Sequence, residues 1–127
     1  MNLRPIDAAD APQPAGGYAQ ALEVTGASRL LFISGQIPAT ADGAVPPDFE
    51  AQARLCWKNI EAQLAAADMT LDNLVKATIF LADRAYAIPN RTIRNEVLAG
   101  RRISLTVIIC TIFDEKWLLE IEATAAA

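Results

Sequence analysis

The stretch Ile103-Ser104-Leu105-Thr106-Val107-Ile108-Ile109-Cys110-Thr111-Ile112 is a near-continuous β-branched and apolar run, too short for a buried helix with caps and long enough for a strand. Side chains alternate faces along a strand, so Leu105, Val107 and Ile109 point one way while Ile108, Cys110 and Ile112 point the other. Both faces therefore want burial. A strand of this kind belongs inside a layered domain, and the rest of the chain must supply the layers.

The flanking sequence supplies them on one side. Upstream, Pro89 to Leu98 reads as a helix, with Pro89 tolerated in the first turn, Ile93 and Val97 apolar, and Gly100 as a stop. Before it, Leu74 to Leu81 is a strand with Val75, Ala77, Ile79 and Leu81 on one face and Lys76 and Thr78 on the other. Asp68 to Asn73 connects that strand to the clearest helix, which Asp48 can cap. Its residues Phe49, Ala53, Cys56, Ile60, Leu64 and Ala67 form one apolar stripe, opposite Glu50, Arg54, Lys58 and Glu61. Gly35 to Pro47, with three prolines and two glycines, must be loop. Ala19 to Val24 and Arg29 to Ser34 read as a β-hairpin across Thr25-Gly26-Ala27-Ser28. Residues 1–18, rich in Ala, Pro, Gly and Asp, read as an irregular lead-in. Downstream, Asp114-Glu115-Lys116 turns the chain into a last strand, Trp117 to Thr124.

The order ββαβαββ predicts one α+β domain over residues 1–127, with two helices on one face of a mixed sheet. Two helices cover only that face. The other is expected to be covered by a second copy of the chain, making a homo-oligomer.

Composition bounds the chemistry. There is no histidine among the 127 residues, which removes Ser-His-Asp and Cys-His catalysis, every histidine-bearing zinc site and the usual proton shuttle near neutral pH. Acid–base work must fall to carboxylates, Lys, Tyr, thiols or water. Cys56 and Cys110 fit no metal spacing and read as buried free thiols. A net charge of −4 disfavours a phosphate-backbone binder. The N-terminus has no signal-peptide pattern, and the longest apolar stretch, Val107 to Phe113, is far short of the roughly 20 residues of a membrane span. A soluble, reduced, cytoplasmic protein is expected, with no membrane and no nucleic acid among its partners.

Three features carry candidate chemistry. Ser34-Gly35-Gln36-Ile37-Pro38 ends a strand with a glycine that lets backbone approach a ligand, beside a hydroxyl; the same residues would also make a plain turn. Glu120 and Glu122 share a face of the last strand, either as a desolvated base or as a solvated edge. Gly16-Gly17-Tyr18 brings a ring into the hairpin approach, as ligand contact or structural anchor. Arg91, Arg94, Arg101 and Arg102 bracket the second helix, as solvated charges or as an anion site.

These residues together resemble a known family. Ala15-Gly16-Gly17-Tyr18-Ala19-Gln20-Ala21 is similar to the Gly-Pro-Tyr-Ser-Gln-Ala approach of the RidA/YjgF family, the reactive intermediate (imine) deaminases. Ser34-Gly35-Gln36-Ile37-Pro38 resembles its Ser-Gly-Gln-Ile-Pro loop, and Gln52 with Asn59-Ile60 resembles its Gln…Asn-Ile helix. Val75-Lys76-Ala77-Thr78-Ile79-Phe80-Leu81-Ala82-Asp83 resembles its Val-Lys-Thr-Thr-Val-Phe-Leu-Thr-Asp strand. Asn90 falls where its helix carries Asn, and Leu119-Glu120-Ile121-Glu122-Ala123 resembles its closing Val-Glu-Ile-Glu-Ala. The matches run in order from Ala15 to Ala123.

The resemblance implies a chorismate-mutase-like fold, a homotrimer, and a small-molecule site in each intersubunit cleft. It implies hydrolysis of enamines or imines to a carbonyl product and ammonia, with no metal or organic cofactor. In that scheme Glu120 orients the attacking water, Ser34 and Gly35 hold the ligand, and Tyr18 and Asn90 line the cleft. One departure stands out. The family carries a carboxylate-binding arginine in a Pro-Ala-Arg-Ser stretch; here, counting back from Glu120 without a gap, that position is Leu105. Bringing Arg102 there needs a three-residue slip, which reverses the strand face. Leu105 is expected to open the pocket to a neutral or more apolar ligand, unless Arg101 or Arg102 enters from elsewhere. The alternatives are a non-catalytic metabolite-binding or regulatory module and, more remotely, an endoribonuclease or translation inhibitor, a label some family members carry.

Overall fold

The computed structural model describes residues 1–127 and runs β1 (Asn2–Ile6), β2 (Ala21–Thr25), β3 (Leu30–Gln36), α1 (Phe49–Ala66), β4 (Leu74–Leu81), α2 (Ala87–Leu98), β5 (Ser104–Ile109) and β6 (Leu119–Ala126). Single 3-10 turns at Leu71–Asn73 and Arg84–Tyr86 lead into β4 and α2. The α+β class follows directly.

α1 begins where its sequence says it should. The Asp48 carboxylate accepts the Ala51 N–H at 2.8 Å, satisfying one of the helix's orphan donors. The predicted stripe is the buried face, with Trp57 and Gln52 added to it. Trp57, Ile60 and Leu64 are at most 1 % exposed, and each such side chain contributes about 1.5–3 kcal/mol by leaving water. They rest on Ile79 and Leu81 of β4 and on Leu119, Ile121, Ala123 and Ala125 of β6, the core of the molecule.

The four-stranded sheet has the order β3-β6-β4-β5. β6 pairs antiparallel with β3 and β4, while β4 and β5 run parallel through the α2 crossover. Ala77↔Leu105 and Ile79↔Val107 fix the parallel register. α2 ends at Leu98, with Ala99 in the left-handed region and Gly100 also at positive φ, so the left-handed turn begins one residue before the glycine.

Several elements differ from the sequence reading, α2 among them, which starts at Ala87 rather than Pro89. The lead-in at residues 1–18 is not wholly irregular, because Asn2–Ile6 forms β1. The hairpin partner of β2 is β1, with Leu3↔Val24 and Ile6↔Ala21 in register and an Arg4–Glu23 ion pair at 3.0 Å. β3 leaves that hairpin and pairs with β6 instead. The Ser28 and Arg29 N–H groups both donate to the Ala127 carbonyl, which starts that ladder. The last strand opens at Leu119, not Trp117, because the Gln52 amide grips its approach: Gln52 Nε2 donates to the Lys116 carbonyl at 3.0 Å and Gln52 Oε1 accepts the Leu118 N–H at 2.8 Å. β5 ends at Ile109, although the Cys110 N–H still donates to the Leu81 carbonyl.

Both helices lie on one face of the sheet. The other face is bare and apolar: Phe32 is 75 % exposed, Leu30 62 % and Ile108 41 %. Large hydrophobic groups gathered on one sheet face of a small chain mark an interaction surface.

Candidate functional site

A β-bulge builds the centre of the site. The β3–β6 register steps from Ile33↔Ala123 to Gln36↔Ile121, so Ser34 and Gly35 together oppose the single residue Glu122. The bulge takes these two residues out of the regular ladder. Beyond it, Asn59 Nδ2 donates to the Ile37 and Ala39 carbonyls at 2.9 and 3.0 Å and pins the loop to α1.

The Glu120 side chain reaches across this bulge. A β-carbon at residue 35 would lie 2.7 Å from Glu120 Cδ, closer than real Cβ atoms come, and 3.1 Å from Cγ. Gly35 has an ordinary backbone conformation, so what demands glycine is room for the carboxylate. Ser34, Gly35 and Glu120 are thus brought together. No protein donor or cation binds the Glu120 carboxylate, and neither of its oxygens is sealed in the interior. Its charge is felt below the sheet: burial first, and Glu120 second, push the Cys56 thiol up, so that Cys56 stays a neutral core group.

Glu120 opens onto a cleft of about 310 Å³ lined by Phe80, Cys110, Thr111, Ile112 and Phe113. Phe113 is 95 % exposed at its rim, with the Trp117 ring centroid 6.4 Å away. One carboxylate in a mainly apolar cleft can polarise a water or hold a cationic nitrogen. Glu122, further along the same face, lies in a smaller depression of about 160 Å³ with Phe32, Lys76, Thr78 and Thr124. No three His, Cys, Asp or Glu side chains converge as a metal-binding set.

The other sequence-derived residues lie elsewhere. Leu105 stands beside Ala77 on the helix-covered face and packs against the core, whereas Glu120 stands beside Phe80 on the bare face. The sheet separates them. Tyr18 precedes Ala19, which bridges Ser104 beyond the β5 edge, and Asn90 is buried on α2 at 2 % exposure. From β6 to the Tyr18 segment is three strand spacings, about 14 Å. One chain therefore presents two clusters: Ser34, Gly35 and Glu120 at the bulge, and Tyr18 near α2. Arg101 and Arg102 are committed to Asp72 and Asp7 and enter neither cluster.

Two further contributors take their place only in the fold, although Arg94 is already among the arginines that the sequence offers as solvated charges or as an anion site. In the cleft wall, Thr111 and Ile112 read as strand in the sequence but lie beyond the end of β5 here. Arg94, only 3 % exposed, sits under the Tyr18 ring with its guanidinium carbon 6.0 Å from the ring centroid.

An α+β domain with a one-sided helix layer and a lone glutamate laid over a strand-bulge glycine defines a narrow class of protein. The chain belongs to the Endoribonuclease L-PSP family, whose model matches residues 8–127. It is 39 % identical over 72 residues to the RutC family protein YjgH of Escherichia coli, a match spanning 56 % of this chain and 55 % of that one. It is 34 % identical over 79 residues to TdcF of the same organism, whose name proposes a reactive intermediate deaminase, across 61 % of this chain and 59 % of TdcF. Both matches thus span less than two thirds of the relative. A solved Rid-family structure of unknown function, YyfB of Yersinia pestis, superposes with a TM-score of 0.87 over the whole of both chains at 24 % identity, a likeness of fold. No helix of this chain is long and apolar enough to cross a membrane.

Proposed function

We propose that the protein hydrolyses small reactive imines or enamines to a carbonyl compound and ammonia. The observation that carries the reading is the Glu120 carboxylate, held over Gly35 without a protein donor and open to an apolar cleft. The deaminase name of a relative supports the class of reaction. In the proposed step Glu120 accepts a proton from water as the water oxygen bonds to the imine carbon. Glu120 hands that proton to nitrogen and then takes the hydroxyl proton as the carbinolamine C–N bond breaks, so that the carbonyl forms and ammonia leaves. An iminium carbon is already electrophilic, so a carboxylate suffices where other hydrolases need histidine.

The bare sheet face, with Phe32, Leu30 and Ile108, supports assembly of copies into a homotrimer, in which the Tyr18 cluster of one copy would complete the Glu120 cluster of the next. The test is ammonia release from enzymatically generated 2-iminobutyrate and from neutral imines. Turnover by the native protein, falling about 10²–10⁴-fold in Glu120→Gln, is expected. If neither substrate turns over and Glu120→Gln is indistinguishable, the catalytic reading fails.

Leu105 favours a second reading, because a leucine packed against the core cannot hold a carboxylate. On it the protein is a non-catalytic metabolite-binding module, and a thermal-shift screen would show stabilisation by a small apolar ligand without turnover. A nuclease is disfavoured by the net charge of −4 and the absence of histidine.

A further inference from the structure

Arg94 is a buried cation without a counter-charge. It is 3 % exposed, and the one hydrogen bond its side chain makes is Nη2 to the Gly16 carbonyl at 2.7 Å. It joins none of the molecule's ion pairs, which use Arg4, Arg54, Arg101 and Arg102. Its unused N–H groups are not sealed in the interior, since every fully buried side-chain polar atom has a partner. A guanidinium carries five donors, so most of its hydrogen-bonding capacity is unspent.

A second cation converges on it. The point where a Gly16 side chain would begin lies 3.0 Å from Arg91 Nε and 3.2 Å from Arg94 Nη2. Arg91, too, has no acidic partner. Burial and then the Arg91 charge lower the Arg94 pKa, the signature of a cation whose surroundings do not neutralise it. Two guanidinium groups brought this close repel unless an anion stands between or beside them, and burying one without a partner is costly. The surroundings suit a planar oxyanion: the Tyr18 ring backs Arg94, and Asn90 lies one helical turn away on the same buried face of α2. Gly16 and Gly17, both at positive φ, keep the loop thin over the arginines and over Asn95.

We propose that Arg94, with Arg91 beside it, binds the carboxylate of an anionic ligand at the Gly16–Tyr18 loop. This deepens the imine-hydrolase reading and rests on it only for what the remainder of the ligand is. In the proposed trimer, where the Tyr18 cluster of one copy faces Glu120 of the next, the anion anchor absent at Leu105 would be supplied from α2.

The test is binding rather than turnover. NMR titration of the native protein with propionate, its neutral isostere propionamide and inorganic phosphate follows the Arg94 Nε–H and Tyr18 ring signals. Propionate is expected to bind roughly 10–100-fold more tightly than propionamide, the range for a charge-assisted bidentate contact, and more tightly than phosphate. Arg94→Gln should bring the propionate-to-propionamide ratio close to one, and Arg94→Lys should keep part of it. Should Arg94→Gln not fold, Arg94→Lys and Arg91→Gln, each expected to lower the ratio severalfold, decide the question. Equal affinity for propionate and propionamide in the native protein overturns the proposal. So does tighter binding of phosphate, or an Arg94→Gln protein that changes oligomeric mass while keeping the native ratio, which would make Arg94 the ion-pair partner of another copy. Because ammonia release is measured separately, a native protein that binds propionate selectively but turns over no imine sinks the proposed function and leaves this inference standing.

Discussion

Gly35 and Glu120 show how much one missing carbon decides. A methyl group at residue 35 would occupy the space of the Glu120 carboxyl, while the backbone there would accept any residue. Gly35→Ala should therefore cost little in folding and much in chemistry. Imine turnover is expected to fall at least tenfold, with a melting temperature within a few degrees of native, measured on the same preparation. A Gly35→Ala protein with native turnover would mean that the carboxylate works from some other position. The residue types were readable from the sequence, as a glycine after a strand and a glutamate in an apolar strand. Their adjacency was not, because it depends on a bulge that no local pattern announces.

Among elements, the segment before β6 has the least local support and the most borrowed support. Asp114 turns it by accepting the Lys116 N–H at 2.8 Å, and Gln52, 2 % exposed on α1, holds it to Pro46, Lys116 and Leu118. Gln52→Ala would leave a buried N–H and two carbonyls unpaired. A loss of about 2–4 kcal/mol in urea unfolding is expected, well beyond the effect of a surface substitution. α1 and β4 were legible because a stripe of period 3.6 and an alternation of period 2 are written in consecutive residues. β1 was not. It has five residues, one of them Pro5, and becomes a strand only because β2 offers its edge. The expected hairpin between β2 and β3 does not form for the same reason: a turn sequence between two strands does not say that they pair with each other, and here β3 pairs with β6.

For the whole molecule the open question is what covers the second sheet face. Phe32→Glu tests the proposed homotrimer directly. Phe32 is 75 % exposed in the single chain, so its replacement should change the unfolding free energy of an isolated chain by no more than about 0.5 kcal/mol. In an assembly it would place a charge in an apolar interface. Light scattering should therefore show the native trimer mass falling to that of the 13.6 kDa chain. A Phe32→Glu protein that keeps the trimer mass would move the interface elsewhere. Loss of imine turnover together with the trimer would support a site shared between copies.

By itself the sequence determined the secondary structure of the central elements, the α+β class, the exclusion of histidine chemistry and the identity of the residues able to act. These follow from local periodicity and from which functional groups exist at all. Tertiary structure alone decided which strands pair, that Glu120 meets Gly35, that Leu105 and Glu120 are on opposite faces of the sheet, and that Arg94 is buried without an acid. Each is a juxtaposition of residues far apart in the chain, set by the competition among strand edges for partners and among side chains for the core. A linear pattern records what each residue prefers, and only the fold records which preferences were met together.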